Sequence, residues 1–205
     1  MATLRERKRE QLRTTIADVA IKLFLEHGFD AVSTASVASA ADVSKPTLFK
    51  YFPTKEDLVL HRFADHRDEP ARVVRDRRPG QSPLVALHEH FLAGLAARDP
   101  ITGLNDHPDV IGVHRMFETA PSLTARAMTY AIGSAEALAA ELPLPDGTAL
   151  VAAHQVVVTL RVLAEHNLRA LASGRTTEDV HPDAMVAADR AFAMLRTGIE
   201  SSFMD

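Results

Sequence analysis

The chain has 205 residues, of which 46% are hydrophobic and 24% charged, with a net charge of −4. These proportions suit one globular domain, or a small domain joined to a larger one, and exclude a disordered tail. Cysteine is absent, which excludes a disulfide scaffold, thiolate zinc ligands and a cysteine nucleophile, and is compatible with a cytoplasmic location.

Charge is unevenly placed. Residues 1–62 carry ten Lys/Arg against eight Asp/Glu, whereas residues 63–205 carry thirteen against nineteen. All five lysines lie at or before Lys55. Such asymmetry suggests two tasks, the first on a polyanion. The opening run from Met1 to Arg9 is charged and leads into an amphipathic stretch, so no secretory leader is expected. The most apolar stretch, from Ala149 to Ala164, is interrupted by His154, Gln155 and Arg161, so no membrane partner is expected.

In chain order, Leu12, Ile16, Val19, Ala20, Leu23 and Phe24 recur at helical spacing and predict a helix over about 5–27, ended by Gly28. Ser33 or Thr34 caps a short second helix over 35–41, with Val37, Ala38 and Ala41 on one face. Ser44 caps a third, with Pro46 in its first turn. Lys45, Thr47, Lys50 and Tyr51 would be displayed, and Leu48 and Phe52 turned inward. Two short helices joined by a tight turn against a longer one make a helix-turn-helix. Thr54 caps the next helix, with Lys55 at its start. That lysine opposes the helix dipole, so a phosphate partner explains it better. Arg5, Arg7, Lys8 and Arg9 form a basic cluster suited to an arm along the DNA backbone or minor groove.

Gly28-Phe29, Thr34, Val37-Ala38, Ala41, Val43-Ser44, Thr47-Leu48, Tyr51-Phe52, Lys55-Glu56 and Leu58 together resemble the DNA-binding domain of the tetracycline-repressor (TetR) family of bacterial transcription regulators. Asp42 stands where that family usually has Gly, and Phe49 where Tyr is common. Ala35 stands where some members carry a base-reading Arg. The resemblance implies that Lys45, Pro46, Thr47 and Lys50 face the major groove. It implies that Thr34, Ser44, Phe49, Tyr51 and Lys55 hold phosphates. It also implies an all-α chain: a three-helix DNA-binding domain over 1–55, then a helical effector-binding and dimerisation domain over 56–205.

Beyond Leu58 the periods are helical, over about 55–77, 82–97, 108–118, 122–141, 147–172 and 183–203. Val151, Val158, Leu160, Val162, Leu163, Leu168 and Leu171 in the fifth run, and Met185, Ala188, Phe192, Leu195, Ile199 and Phe203 in the last, predict helices that pair across a homodimer. His88, Phe91, Ile111, His114, Met116, Phe117, Met128 and Tyr130 are the expected walls of an effector pocket for an apolar or aromatic small molecule. Leu92 belongs with them as a lining candidate.

Ten histidines raise metal sensing. His88 and His90 lie i, i+2 on a helix and cannot share an ion. Asp106, His107, Asp109 and His114 cluster near a loop, and His61 with Asp65 reads as a surface ion pair. No metal or other cofactor is expected. Nor is catalysis, since no Gly-rich phosphate loop, nucleophile elbow or paired-His metalloprotease motif occurs. The function expected is that of a DNA-binding regulator, a repressor released from a palindromic operator by an effector. An activator or effector-independent protein of the same fold is the alternative, and an architectural module without sequence preference a more distant one.

Overall fold

The computed structural model describes residues 3–199 and, among these, contains helices and no strand. The helices are α1 (Leu4–His27), α2 (Thr34–Ala40), α3 (Lys45–Tyr51), α4 (Lys55–Leu60), α5 (Glu69–Arg75), α6 (Pro83–Ala97), α7 (Pro108–Thr119), α8 (Pro121–Ala139), α9 (Asp146–Ala172) and α10 (Thr177–Ile199), with 3-10 turns at His61–His66 and Pro100–Thr102. The all-α expectation holds. Two compact units form: one holds the residues up to 64 together with 112–127, the other residues 65–111 and those from 128 onward.

In the first unit, α1 buries Ile16, Ala17, Ala20, Ile21 and Phe24, a stripe rotated slightly from the expected one: Leu12, Val19 and Leu23 are half-buried. Gly28 ends α1 at φ 87°, its N–H donating to the Phe24 carbonyl at 2.9 Å. The helix begins earlier than its apolar period because Thr3 and Glu6 form a capping box. Arg5, Arg7, Lys8 and Arg9 are therefore the exposed first turns of α1 and not an extended arm.

The run expected to be one helix over 55–77 is broken. Pro70 cannot donate to the ladder and its ring excludes the carbonyl four residues back. The chain takes a 3-10 path through His61–His66 and restarts as α5, with Pro70 in the first turn where no N–H is needed.

The second unit is built around α6, α9 and α10. Leu84, Leu87, Phe91, Leu95, Ala152, Ala153, Val156, Ala188 and Phe192 belong to one buried cluster. Gly103 (φ 72°) lies so close to α9 that an added Cβ would collide with the Ala164 carbonyl, and buried Asn167 donates to the Thr102 carbonyl at 2.8 Å. By length and composition α9 could cross a membrane; Ala149, Ala152, Ala153, Val156, Leu163 and Leu171 are instead buried in this core.

Helix α10 starts six residues before the expected 183. Thr176 and Asp179 cap each other reciprocally, at 3.3 and 3.2 Å, and start the helix upstream of Pro182. Pro182 then sits inside the helix at the loss of one backbone bond. The expected extension through 200–203, with Phe203, lies outside the described residues.

Helices α5 and α6 are tied by Glu69, whose Oε2 lies 2.8 Å from His66 Nδ1 and Oε1 3.2 Å from His90 Nε2. Hydrogen bonds from His66 and His90 hold the Glu69 carboxyl down at about 2, from a usual 4.5, and the bond to Glu69 raises His90 from its usual 6.5. The Glu69 contribution to stability is present above pH 4.5 and fades as pH falls toward 2. The His90 contribution is complete below pH 6.5 and fades as pH rises through its raised value. Thermal unfolding of the native chain and Glu69→Gln at a series of pH values should therefore differ most between pH 4.5 and 6.5, with the gap narrowing on both sides.

Candidate nucleic-acid interface

A seven-residue helix is too short to persist in water by its own hydrogen bonds, so α3 depends on its ends and its buried face. At its start the Ser44 hydroxyl accepts from the Thr47 N–H at 3.2 Å and lies 2.7 Å from the Thr47 hydroxyl. Leu48, 0% exposed, and Phe52, 1% exposed, anchor it. Upstream, Ser33 caps α2 by accepting from Ser36 N–H at 3.0 Å. Asp42 takes the left-handed backbone, φ 52°, where the TetR pattern has glycine, and the turn closes with Val43 N–H donating to the Ala38 carbonyl at 2.9 Å.

This leaves one side of α3 in water. Lys45, Pro46, Phe49 and Lys50 are exposed, while Thr47 and Tyr51 are half-buried. Phe49 is an apolar ring 38% exposed on a polar face, with the Lys45 ammonium 5.9 Å from its centroid. Ser44 is exposed and Thr34 half-buried, at the starts of α3 and α2. Of the nine expected DNA contacts, six fall within α3 itself, Ser44 caps it, and Thr34 and Lys55 lie on its neighbours.

Lys55 has a local environment that sequence spacing did not reveal. Its ammonium lies 4.4 Å from the Phe29 ring centroid and 5.5 Å from that of Phe24, and 3.5 Å from the Asp30 carbonyl. Phe24 and Phe29 meet edge to face at 5.1 Å. Cation–π attraction thus helps hold the Lys55 ammonium at the dipole-opposed start of α4. Also missed was Asp57, buried to 6% exposure. It accepts from the Thr54 N–H at 3.1 Å and pairs with Arg126 at 2.9 Å.

The expected effector-pocket residues divide between the two units. His88 stacks on Phe192, centroids 4.6 Å apart, with its Nε2 3.0 Å from Asp189. Phe91 is in the core of the second unit, Leu92 and Ile111 pack partly against that core, Met128 is 42% exposed, and Tyr130 lies beneath Arg67. His114, Met116 and Phe117 belong to the first unit: His114 lies 3.7 Å from Glu118, Met116 is buried, and Phe117 meets Phe63 edge to face. A groove of about 440 Å³ in the second unit is lined by Val158, Val162, Leu163, Met194 and Leu195, and a hollow of about 360 Å³ by Leu95, Arg98, Leu104, Glu178 and His181. None of the eight expected pocket residues lines either.

His107 and His61 have local partners. His107 Nδ1 accepts from the Asp109 N–H at 3.2 Å, and Asp106 accepts from Thr177 at 3.4 Å. His61 lies 4.0 Å from Glu10 and edge-on to Phe52; the side chain of Asp65, its expected partner, lies outside the described residues.

The cap makes a direct prediction. Ser44→Ala should lower stability by about 1 kcal/mol, the usual worth of an N-cap hydroxyl. Chemical denaturation should register it as a reduced midpoint with an unchanged slope.

Residues 16–61 match the family model described as bacterial regulatory proteins, tetR family. The chain is 28% identical over 123 residues to the HTH-type transcriptional regulator TcmR of Streptomyces glaucescens, covering 60% of this chain and 54% of TcmR. It is 28% identical over 185 residues to the HTH-type transcriptional repressor KstR of Mycobacterium tuberculosis, covering 90% of this chain and 69% of KstR. The chain thus spans about half the length of the first of these relatives. In fold it is similar to NalD, the secondary repressor of the MexAB-OprM multidrug efflux pump in Pseudomonas aeruginosa, with a TM-score of 0.57 at 18% identity over 89% of this chain and 96% of that one. A helix-turn-helix with its polar side displayed and a family match centred on it give residues 16–61 the character of a tetR-type DNA-binding domain, and the chain as a whole is similar in sequence to HTH-type transcription regulators and in fold to NalD.

Proposed function

We propose that the chain is a cytoplasmic repressor that binds a near-palindromic operator as a homodimer and is released from it by a small apolar or aromatic effector. The observation that carries the reading is the solvent side of α3, where Lys45, Pro46, Phe49 and Lys50 stand exposed over an anchored Leu48 and Phe52. In this reading Lys45, Pro46, Thr47 and Lys50 meet base edges in the major groove, and Thr34, Ser44, Phe49, Tyr51 and Lys55 lie along the phosphates. The domain division at residue 55 goes with it: residues 1–55 bind DNA, and residues 56–205 take the effector and pair the protomers.

Dimerisation supplies two such surfaces about 34 Å apart on one face of a duplex. The stripe expected to pair on α10 does not favour this directly: Ala188, Phe192 and Leu195 are buried in their own protomer's core. The support comes from the neighbouring face. Val158 (45%), Val162 (50%) and Met194 (75%) are exposed along the α9–α10 groove, large apolar side chains that a second copy would cover.

The effector would act by binding one state of the dimer better than the other, with a coupling of about 1–3 kcal/mol. The pocket residues proposed are His88, Phe91, Ile111, His114, Met116, Phe117, Met128 and Tyr130. An activator or an effector-independent regulator would use the same α3 face and is distinguished by reporter expression with the gene deleted.

Two measurements test the reading. Lys45→Ala and Lys50→Ala should each weaken binding to the best duplex site. A lysine that reads a base should relax specificity there, whereas one that touches phosphate should lower the slope of log affinity against log salt by about one. Val158→Glu with Met194→Glu should leave the protomer folded, since both side chains face solvent within it. Sedimentation should show the shift from dimer to monomer, and duplex binding should fall with it.

A further inference from the structure

Asp57 is a carboxylate with 6% of its surface exposed, and its oxygens are occupied from two directions. Oδ2 accepts from the Thr54 backbone N–H at 3.1 Å and closes the first turn of α4. Arg126, 69 positions later on α8, donates Nε to Oδ1 at 2.9 Å and Nη2 to Oδ2 at 3.3 Å. A charge this deeply buried requires a counter-charge, and a guanidinium fork matches a carboxylate with fixed geometry. The residues next to Asp57 leave α4 little freedom: Leu58 and Val59 are 0% exposed and Leu60 is 2%. Only Phe52, Pro53 and Thr54 separate the last residue of α3 from the first of α4, and Phe52 is itself buried.

We propose that Arg126 is a positioning residue for DNA binding: through Asp57 it fixes the start of α4 and, across the three-residue link, the end of α3. The recognition surface then depends on a side chain of α8, a helix that supplies residues up to 127 to the first compact unit and residues from 128 to the second. The proposal rests on the reading that α3 binds duplex DNA in a dimer.

Selection from a randomised duplex library, with full-length native chain, Arg126→Gln, Arg126→Lys and the double variant Asp57→Asn/Arg126→Gln, tests this. Melting temperatures are measured in parallel. The native chain should recover paired half-sites at one spacing. Arg126→Gln should bind that best site roughly tenfold more weakly, an ordinary coupling between distant groups, and should recover half-sites at several spacings. Arg126→Lys should restore part of the affinity, because it keeps the charge but loses the fork. The double variant should fold no worse than Arg126→Gln, since it removes the unpaired buried charge, and it carries the test if the single variant does not fold.

Undiminished affinity in Arg126→Gln overturns the role. So does an affinity loss that follows melting temperature while the single native spacing is retained, because a purely structural contact would give that result. A native chain that recovers no paired half-sites instead overturns the dimeric reading, and this inference with it.

Discussion

The recognition surface depends on the burial of Leu48 and Phe52. Helix α3 is seven residues long, and its few internal hydrogen bonds cannot offset the conformational entropy of forming it. Two side chains sunk to 0% and 1% exposure hold it to the core, and the Ser44 hydroxyl closes its open end. Once those are fixed, the remaining positions have no choice of side: Lys45, Phe49 and Lys50 must face solvent. The polar face is therefore a product of packing on the opposite face.

What could be read in the sequence is what local chemistry determines. Ser33, Ser44 and Thr54 were legible as caps because a hydroxyl before a periodic run satisfies an orphan N–H whatever the tertiary surroundings. Asp42 was legible as a left-handed residue for a similar reason. The α10 start was not, because a proline reads as a boundary and the Thr176–Asp179 cap upstream is strong enough to override it. Long-range partners were out of reach. No spacing rule joins Asp57 to Arg126, or places two phenyl rings under Lys55. For Lys55 the dipole argument identified an anomaly but not the aromatic pair beside the ammonium, drawn from the end of α1 and the turn after it.

The same limit applies to the apolar surface of α9 and α10. Periodicity shows how many apolar positions a helix carries, but not which of its two apolar sides faces its own core. In α10 the regular stripe of Ala188, Phe192 and Leu195 went inward, and the less regular Val186 and Met194 stayed out. In α9 the excess of apolar residues is what keeps Val151, Val158 and Val162 exposed after the core is filled.

The aspartate at the turn between α2 and α3 has an electrostatic consequence separate from its backbone role. A glycine there would be silent, whereas Asp42 places a carboxylate on an exposed corner three positions before Lys45. Against a polyanion, that corner is repelled while the lysine-bearing side is drawn in. In the proposed DNA complex, approaches that bring the corner onto a sugar–phosphate strand would thereby be penalised.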